Sequence, residues 1–448
     1  MIFYVERQKI SRKSATILYS AIIHSLSITP HNKRIQLTQP KTMKILHTSD
    51  WHLGRTLYSK KERQEEHTAF LAWLLGTIQE NSIDLLLIAG DVFDTASPSS
   101  TAQKMYYDFL INVRKAGCEN VIVVGGNHDS PSFLNAPKDI LAALNVTVIG
   151  NATENPEDEM IVVTDRNGNP LAIVCAVPFL RERDISRFTE GENYSDRSRR
   201  INENIKKHYE VIAQLAENKR KELGVAVPII ATGHLPVAGG KRNDDDGVRE
   251  TYIGNIEAVG NDIFPDTFDY VALGHYHISS VIKDHIRYCG SPIPMGFGEA
   301  GQKKQVYLVE FNERRSIETI EIPVFQRLES IVGDKKFIAQ RLSELKKTGD
   351  SVWVEVIYTG NEIFPDLSSW VNEQIADSNI EVLKLQNRQY LNEVLTQVDT
   401  ADPLEELNEM EVFDKLLGKN NIPDEQKTEL IALYEEIIDS LHIQDMAL

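Results

Sequence analysis

Five apolar runs in this chain end on residues of metal-ligand type, and that repetition constrains the fold more than anything else in the sequence. MKILHTS leads into Asp50-x-His52, IDLLLIAG into Asp91-x-x-Asp94, and NVIVVGG into Asn127-His128-Asp129. VPIIATG ends on His234 and YVALG on His275-x-His277. Successive side chains of a strand point to opposite faces, so residues two apart share a face. An Asp and a His at that spacing can grip one ion between them. Each cluster alone has a plain explanation, since Gly-Asp after a strand is often just a turn. Five together, emerging on one edge of a sheet, read as a ligand set.

The stretches between these runs have helical spacing. Residues 60–79 place Phe70, Leu71, Leu74, Leu75 and Ile78 on one side, and residues 101–116, 138–144 and 202–222 also read as helices. Strand–helix alternation predicts an α/β layered fold with its ligands at the carboxyl ends of the strands. IRYCGSPIPMGFGE, QVYLVEF and SIETIEIPV read as antiparallel strands closing this domain. The character then changes. Residues 335–347 and 366–376 read as helices and SVWVEVIYTG and IEVLKLQNR as strands, a small α+β unit without histidine. Two acidic amphipathic helices follow. The expected division is 1–42, a disordered extension or a start placed too early with Met43 the true start; 43–322, the main domain; 323–400, the α+β unit; and 401–448, the terminal helices. Those helices pack on their own domain or dock on a partner.

Charge bears on the partner. The net charge of −18 argues against nucleic acid, but residues 396–448 hold 14 acidic residues against 3 lysines, so the rest of the chain carries only −7. A pair of bound divalent cations would shift the local field further. Three scattered cysteines, Cys118, Cys175 and Cys289, fit a reducing compartment and give neither a disulfide framework nor a thiolate zinc site. No stretch is long and apolar enough to span a membrane. Lys241, Arg242 and Arg249 could touch phosphates, or lie in a solvated loop with Asp244, Asp245 and Asp246.

The donors also select the ion. Two Asp, an Asn and several His without thiolate suit a pair of octahedral or five-coordinate divalent ions such as Mn, Fe or Mg. Asp91, central in the set, is the natural bridge. Glycines at 90, 126, 233 and 274 are expected to let the backbone turn sharply before each ligand.

In its motifs and their order the chain resembles the calcineurin-like metallophosphoesterase family. TSDWHLGR, IAGDVFDTASP, GGNHDSP, the YIG at 252–254, DYVALGHYH and RYCGSPIPMGFGE further resemble the branch formed by nuclease subunits of a bacterial DNA-repair complex. The likeness starts at residue 43, is strongest through residue 300, and rests on layout alone in the tail. It implies a layered metallophosphoesterase sandwich with a small α+β capping domain and C-terminal helices. One metal would sit on Asp50, His52, Asp91 and His277, and a second on Asp91, Asn127, His234 and His275. His128 would face the scissile phosphate as a non-ligand, with Asp129 orienting it. Asp94 stands where archaeal and eukaryotic relatives carry a histidine, so that histidine's role is not carried over.

The resemblance further implies a cytoplasmic nuclease using two divalent ions, manganese first and magnesium or iron otherwise. It would work as a homodimer with an ATPase whose long coiled coil receives the terminal helices. Double-stranded DNA, hairpins and DNA ends would be its substrates, in repair, replication and recombination. Two other readings compete: a small-molecule phosphoesterase, such as a nucleotidase, and a silent scaffold of the same fold. The extra domains favour a polymer substrate, and a scaffold tends to lose ligands, whereas none is missing here.

Overall fold

The computed structural model describes residues 42–58, 60–186, 193–241, 258–360, 366–388 and 431. Strand β1 (Met43–Thr48) is followed by a small hairpin, β2 (Thr56–Leu57) and β3 (Lys61–Glu62), and by helix α1 (Gln64–Asn81). Then come β4 (Leu85–Ala89), α2 (Ser100–Lys115), β5 (Asn120–Val124), the short α3 (Pro131–Asn135) and α4 (Lys138–Ala142), and β6 (Val146–Ile149). A second series holds β7 (Met160–Thr164), β8 (Pro170–Cys175), α5 (Glu182–Ile185), α6 (Tyr194–Leu223), β9 (Ile229–His234), β10 (Tyr270–Gly274), β11 (Ser280–Lys283) and β12 (Ile286–Tyr288). Strands β13 (Gln305–Phe311) and β14 (Arg315–Glu321) close the domain. The last unit is β15 (Arg327–Gly333), α7 (Lys335–Thr348), β16 (Val352–Tyr358), α8 (Leu367–Ile375) and β17 (Ile380–Asn387).

Two six-stranded sheets form the main domain, in the orders β14-β13-β1-β4-β5-β6 and β11-β12-β10-β9-β8-β7. In the first sheet β1, β4, β5 and β6 run parallel and β13 and β14 extend it by antiparallel pairing; in the second the central strands run parallel and both edges pair antiparallel. Every residue of β4, β9 and β10 is buried, as the continuous apolar runs require of strands covered on both faces. Phe70, Leu74 and Ile78 of α1 and Tyr106, Leu110 and Val113 of α2 cover the first sheet at helical spacing. Ile201, Ile205, Tyr209, Ile212 and Ala216 of α6 cover the second. Between the sheets, Val174, Ile230, Tyr270 and Ala272 of the second join the core of the first.

This arrangement corrects several expectations. The ligand-bearing strands end on two facing sheets, not on one edge of a single sheet. The hairpin occupies the start of the helix expected over 60–79, and α1 begins at Gln64. Of IRYCGSPIPMGFGE only Ile286–Tyr288 is strand, parallel to β10; the remainder is a loop with a helical turn at Phe297–Glu299. Its glycines and prolines supply few ladder donors and little side chain for a strand. Helix α6 starts earlier than residue 202, where Asn193 caps it by accepting the Asp196 N–H; its first turns are polar and lack an apolar period. Strands β7, β11 and β15 are additional.

In the last unit, α7 and α8 pack on one face of the parallel sheet β15-β16-β17 through Ile338, Leu342, Leu345 and Val371. Leu57, Phe297, Leu328, Trp353 and Leu383 form the cluster that seats this unit against the main domain. The Tyr58 ring stacks on Phe297 at 5.5 Å there. The expected extension over 1–42 lies, but for its last residue, outside the described residues. So do the expected helices over 401–448 apart from Ile431, and Arg242, Arg249 and the segment 252–254.

Candidate metal centre

The ends of β1, β4 and β5 in the first sheet and of β9 and β10 in the second converge on Asp91. The turns after β1 and β4 are zipped together: the Asp50 N–H donates to the Gly90 carbonyl and the His52 N–H to the Asp91 carbonyl, both at 3.0 Å. Asp50, His52, Asp91 and His275 all have positive φ, at 52°, 45°, 48° and 105°. Left-handed backbone at a non-glycine residue costs about 1–3 kcal/mol and persists only where the surroundings enforce it. The glycine expectation needs correction here. Gly90 does take a positive φ, but Gly274 does not; a Cβ at Gly274 would collide with the carbonyl oxygen of Ala89. Glycine there permits the two sheets to approach closely.

Around Asp91 the donor atoms fall into two groups. Its Oδ2 lies 3.1 Å from His234 Nε2 and 3.6 Å from His52 Nε2, between the two groups. On one side His52 Nε2 and His277 Nε2 converge at 3.1 Å, and Asp50 lies within the same cluster. On the other, Asn127 Oδ1 is 3.0 Å from His234 Nε2 and 3.2 Å from His275 Nδ1. All seven residues predicted as ligands are therefore brought together.

Burial and neighbouring charge set their protonation. Burial pushes Asp50 up to about 7 against the pull of His234. Burial also opposes the charge on His234, yet the Asp91 and Asp50 carboxylates hold it at about 9. Asp91, despite burial, is kept well below the usual carboxylate range by His234, His128 and His52. Burial drives His275 down to about 3 and lowers His52 and His277 as well, leaving neutral imidazoles with lone pairs to offer. Buried carboxylates, an amide oxygen and neutral imidazoles are the donor set that fits a pair of divalent cations.

His128 stands at the edge of this group. Its ring lies 4.9 Å from that of His52, edge to face. Its Nδ1 is 3.0 Å from the carbonyl oxygen of Asp94, so that nitrogen carries the proton and donates, and Nε2 remains for other work. The backbone N–H of His128 donates to Asp91 Oδ1 at 2.9 Å. Asp129 does not orient the ring directly as expected. Its carboxylate instead accepts the N–H groups of Val92, Phe93 and Gly126 at 3.1, 3.0 and 2.9 Å, locking the β4 and β5 turns to each other. Those N–H donors offset burial, which pushes Asp129 up to about 6.

Residues behind the ligands were not anticipated. Asp94 Oδ1 faces His52 Nδ1 at 3.3 Å and is itself held by Arg55 Nη1 at 3.0 Å. His234 Nδ1 lies 3.0 Å from the Ala89 carbonyl oxygen. His277 Nδ1 faces Glu299 Oε1 at 3.7 Å. The Asp94 partner was visible in Asp91-x-x-Asp94; the signal for Glu299 was one acid ending an otherwise glycine-, proline- and apolar-rich loop.

Two known families match the sequence. The family described as Calcineurin-like phosphoesterase matches residues 43–279, and the one described as Type 5 capsule protein repressor C-terminal domain matches residues 324–421. The D subunit of nuclease SbcCD from Escherichia coli (strain K12) is 36% identical over 405 residues, covering 89% of this chain and 98% of that protein. The proteins of the same name from Rhodobacter capsulatus and Bacillus subtilis are 35% and 31% identical, each over 60% of this chain and 66% of their own length.

Proposed function

Because the chain belongs to the calcineurin-like phosphoesterase family, among the D subunits of the SbcCD nuclease, we propose the following account of its work. It is a hydrolase, a metal-dependent DNA nuclease subunit that acts with SbcC. Asp50, His52, Asp91 and His277 hold one divalent cation, and Asp91, Asn127, His234 and His275 the other. Manganese is the first choice of ion for this donor set, with magnesium and iron the alternatives. When bound, the two ions supply Lewis-acid activation of water and offset charge on the phosphate.

The chain's own residues do the rest. Asp91 joins the two halves, and burial keeps His52, His275 and His277 neutral so that their lone pairs face the centre, while His234 would give up its proton to an incoming cation. Asp129 fixes the turn that carries His128. With Nδ1 committed to the Asp94 carbonyl, His128 acts from its Nε2 side, as imidazolium or through water, to protonate the departing sugar oxygen, a step typically worth about 10²–10⁴-fold.

Residues 43–322 form the nuclease domain and 323–400 the cap lining the DNA path, and the segment 401–448 docks on the SbcC coiled coil. The chain works as a cytoplasmic homodimer with the SbcC-type ATPase, cutting double-stranded ends exonucleolytically and hairpins endonucleolytically, in repair, replication and recombination. Among the described residues no helix is long and apolar enough to cross a membrane. The observation that carries this reading is the convergence of six donor residues on Asp91 beside an imidazole that is not one of them. A manganese-dependent assay on hairpin DNA and on a nucleoside monophosphate, with and without SbcC and ATP, tests it. Preferential cleavage of the hairpin supports the nuclease; turnover of the monophosphate alone would make the chain a small-molecule phosphoesterase.

A further inference from the structure

Behind His277 lies a buried cluster that none of the roles above uses. Glu299 is completely buried and Lys304 is 7% exposed. The Lys304 ammonium is ion-paired with Glu299 Oε2 and donates to the His277 carbonyl oxygen and to Ser291 Oγ, each at 3.0 Å. The same Glu299 oxygen accepts the backbone N–H of Met295 at 3.1 Å and the Ser291 hydroxyl at 3.4 Å. One carboxylate oxygen is thus fully engaged. Among the described residues the other, Oε1, has no hydrogen-bond partner, and neither has His277 Nδ1. These two orphaned atoms face each other at 3.7 Å. The opposite ring nitrogen, His277 Nε2, points into the metal centre against His52.

Two buried polar atoms without partners are each costly, and a proton on Nδ1 with a small closing movement satisfies both. A carboxylate behind a ligating imidazole fixes the ring's tautomer and orientation and raises its basicity as a ligand. Burying a carboxylate and an ammonium to hold that oxygen in place is expensive, and removing one partner alone leaves a charge unpaired.

We propose that Glu299, held by Lys304, is a positioning residue: it receives the Nδ1–H of His277 and so presents the Nε2 lone pair to the cation shared with Asp50, His52 and Asp91. This rests on the metal-centre reading above and adds to it a residue from the loop whose sequence reads as strand. Among the ligating rings with an outward partner, His234 leans on a neutral carbonyl and His52 on the partly exposed Asp94. The support behind His277 is an anion fixed from several sides.

Calorimetric titration of the metal-free full-length protein with Mn(II) alone tests the proposal, with thermal unfolding of the same samples. The wild-type chain should bind two ions. Glu299→Gln leaves the Lys304 ammonium unpaired and should unfold at a lower temperature, yet bind one ion with wild-type affinity and the other about 10–100-fold more weakly. A structural role alone would lower both affinities together with the unfolding temperature. Should Glu299→Gln fail to fold, the double variant Glu299→Gln with Lys304→Met removes both buried charges at once, and the same selective loss is expected of it. Two wild-type affinities in whichever variant folds, or a loss shared equally by both ions, would overturn the proposal. A wild-type chain that takes up no ion would instead overturn the metal-centre reading on which it stands.

Discussion

The two sheets contribute unlike halves of the metal centre. From the first come all the oxygen donors, Asp50, Asp91 and Asn127, together with His52; from the second come imidazoles only, His234, His275 and His277. On the first, three donors sit on left-handed backbone; backbone hydrogen bonds tie the β1 turn to the β4 turn, and the Asp129 carboxylate ties the β4 turn to the β5 turn. On the second, only His275 has positive φ. The half that carries the carboxylates is therefore a braced set of turns, and the imidazole half a set of strand ends brought up to it. Neither sheet alone supplies a complete ligand group, so close approach between them is a condition for binding.

The sharpest way to break this comparison is to remove the one group that both halves face. Asp91→Ala should bind neither ion by metal analysis and should have no measurable nuclease activity; an ion retained at full occupancy would show that the halves work independently. His128→Ala separates chemistry from binding. It should keep both ions while turnover falls about 10²–10⁴-fold, whereas loss of an ion would make His128 a ligand.

Gly274→Ala tests the approach of the sheets, because the new methyl meets the Ala89 carbonyl. A stability loss of about 1–3 kcal/mol in denaturant titration is expected, with weaker metal binding. Gly76→Ala in α1, where nothing among the described residues lies within 4 Å, is the control and should stabilise by about 0.5–1 kcal/mol. Equal responses at the two glycines would remove the argument from close approach.

The smallest effect concerns acid. Burial holds His47 and His67, both on the first-sheet side, at about 3. Each is neutral in the folded chain and protonates near 6.5 when unfolded. The unfolded state therefore gains protons first, so this contribution is present above pH 6.5 and is lost as pH falls toward 3. Going from pH 7 to 5.5 should cost about 1 kcal/mol for each. Urea midpoints of His47→Gln and His67→Gln over that range should slope less steeply than wild type; an unchanged slope would contradict the assignment.

The strand ends were legible in the sequence because each donor follows an apolar run with its own periodicity. Asp50, Asp91 and His275 could be read that way without any knowledge of which sheet they belong to. The division between two sheets was not legible, since strand order is set by tertiary pairing: β12 lies beside β10, and β13 returns to β1 across the whole domain. Strand β15, RLESIVG, mixes charges into a short apolar pattern and gains its strand from pairing with β16. Asp129 was legible as important but not in its role. Binding three backbone N–H groups from two loops depends on a proximity that no spacing along the chain encodes. Glu299 escaped for the same reason, being brought to His277 by a loop without period.

Anomalous diffraction from a manganese-loaded crystal tests the central claim most directly. The account predicts two peaks between the strand ends, about 3.5–4 Å apart. Asp91 should contact both peaks, the histidines of the second sheet should contribute to each, and His128 should contact neither. A single peak, or one coordinated by His128, would contradict it.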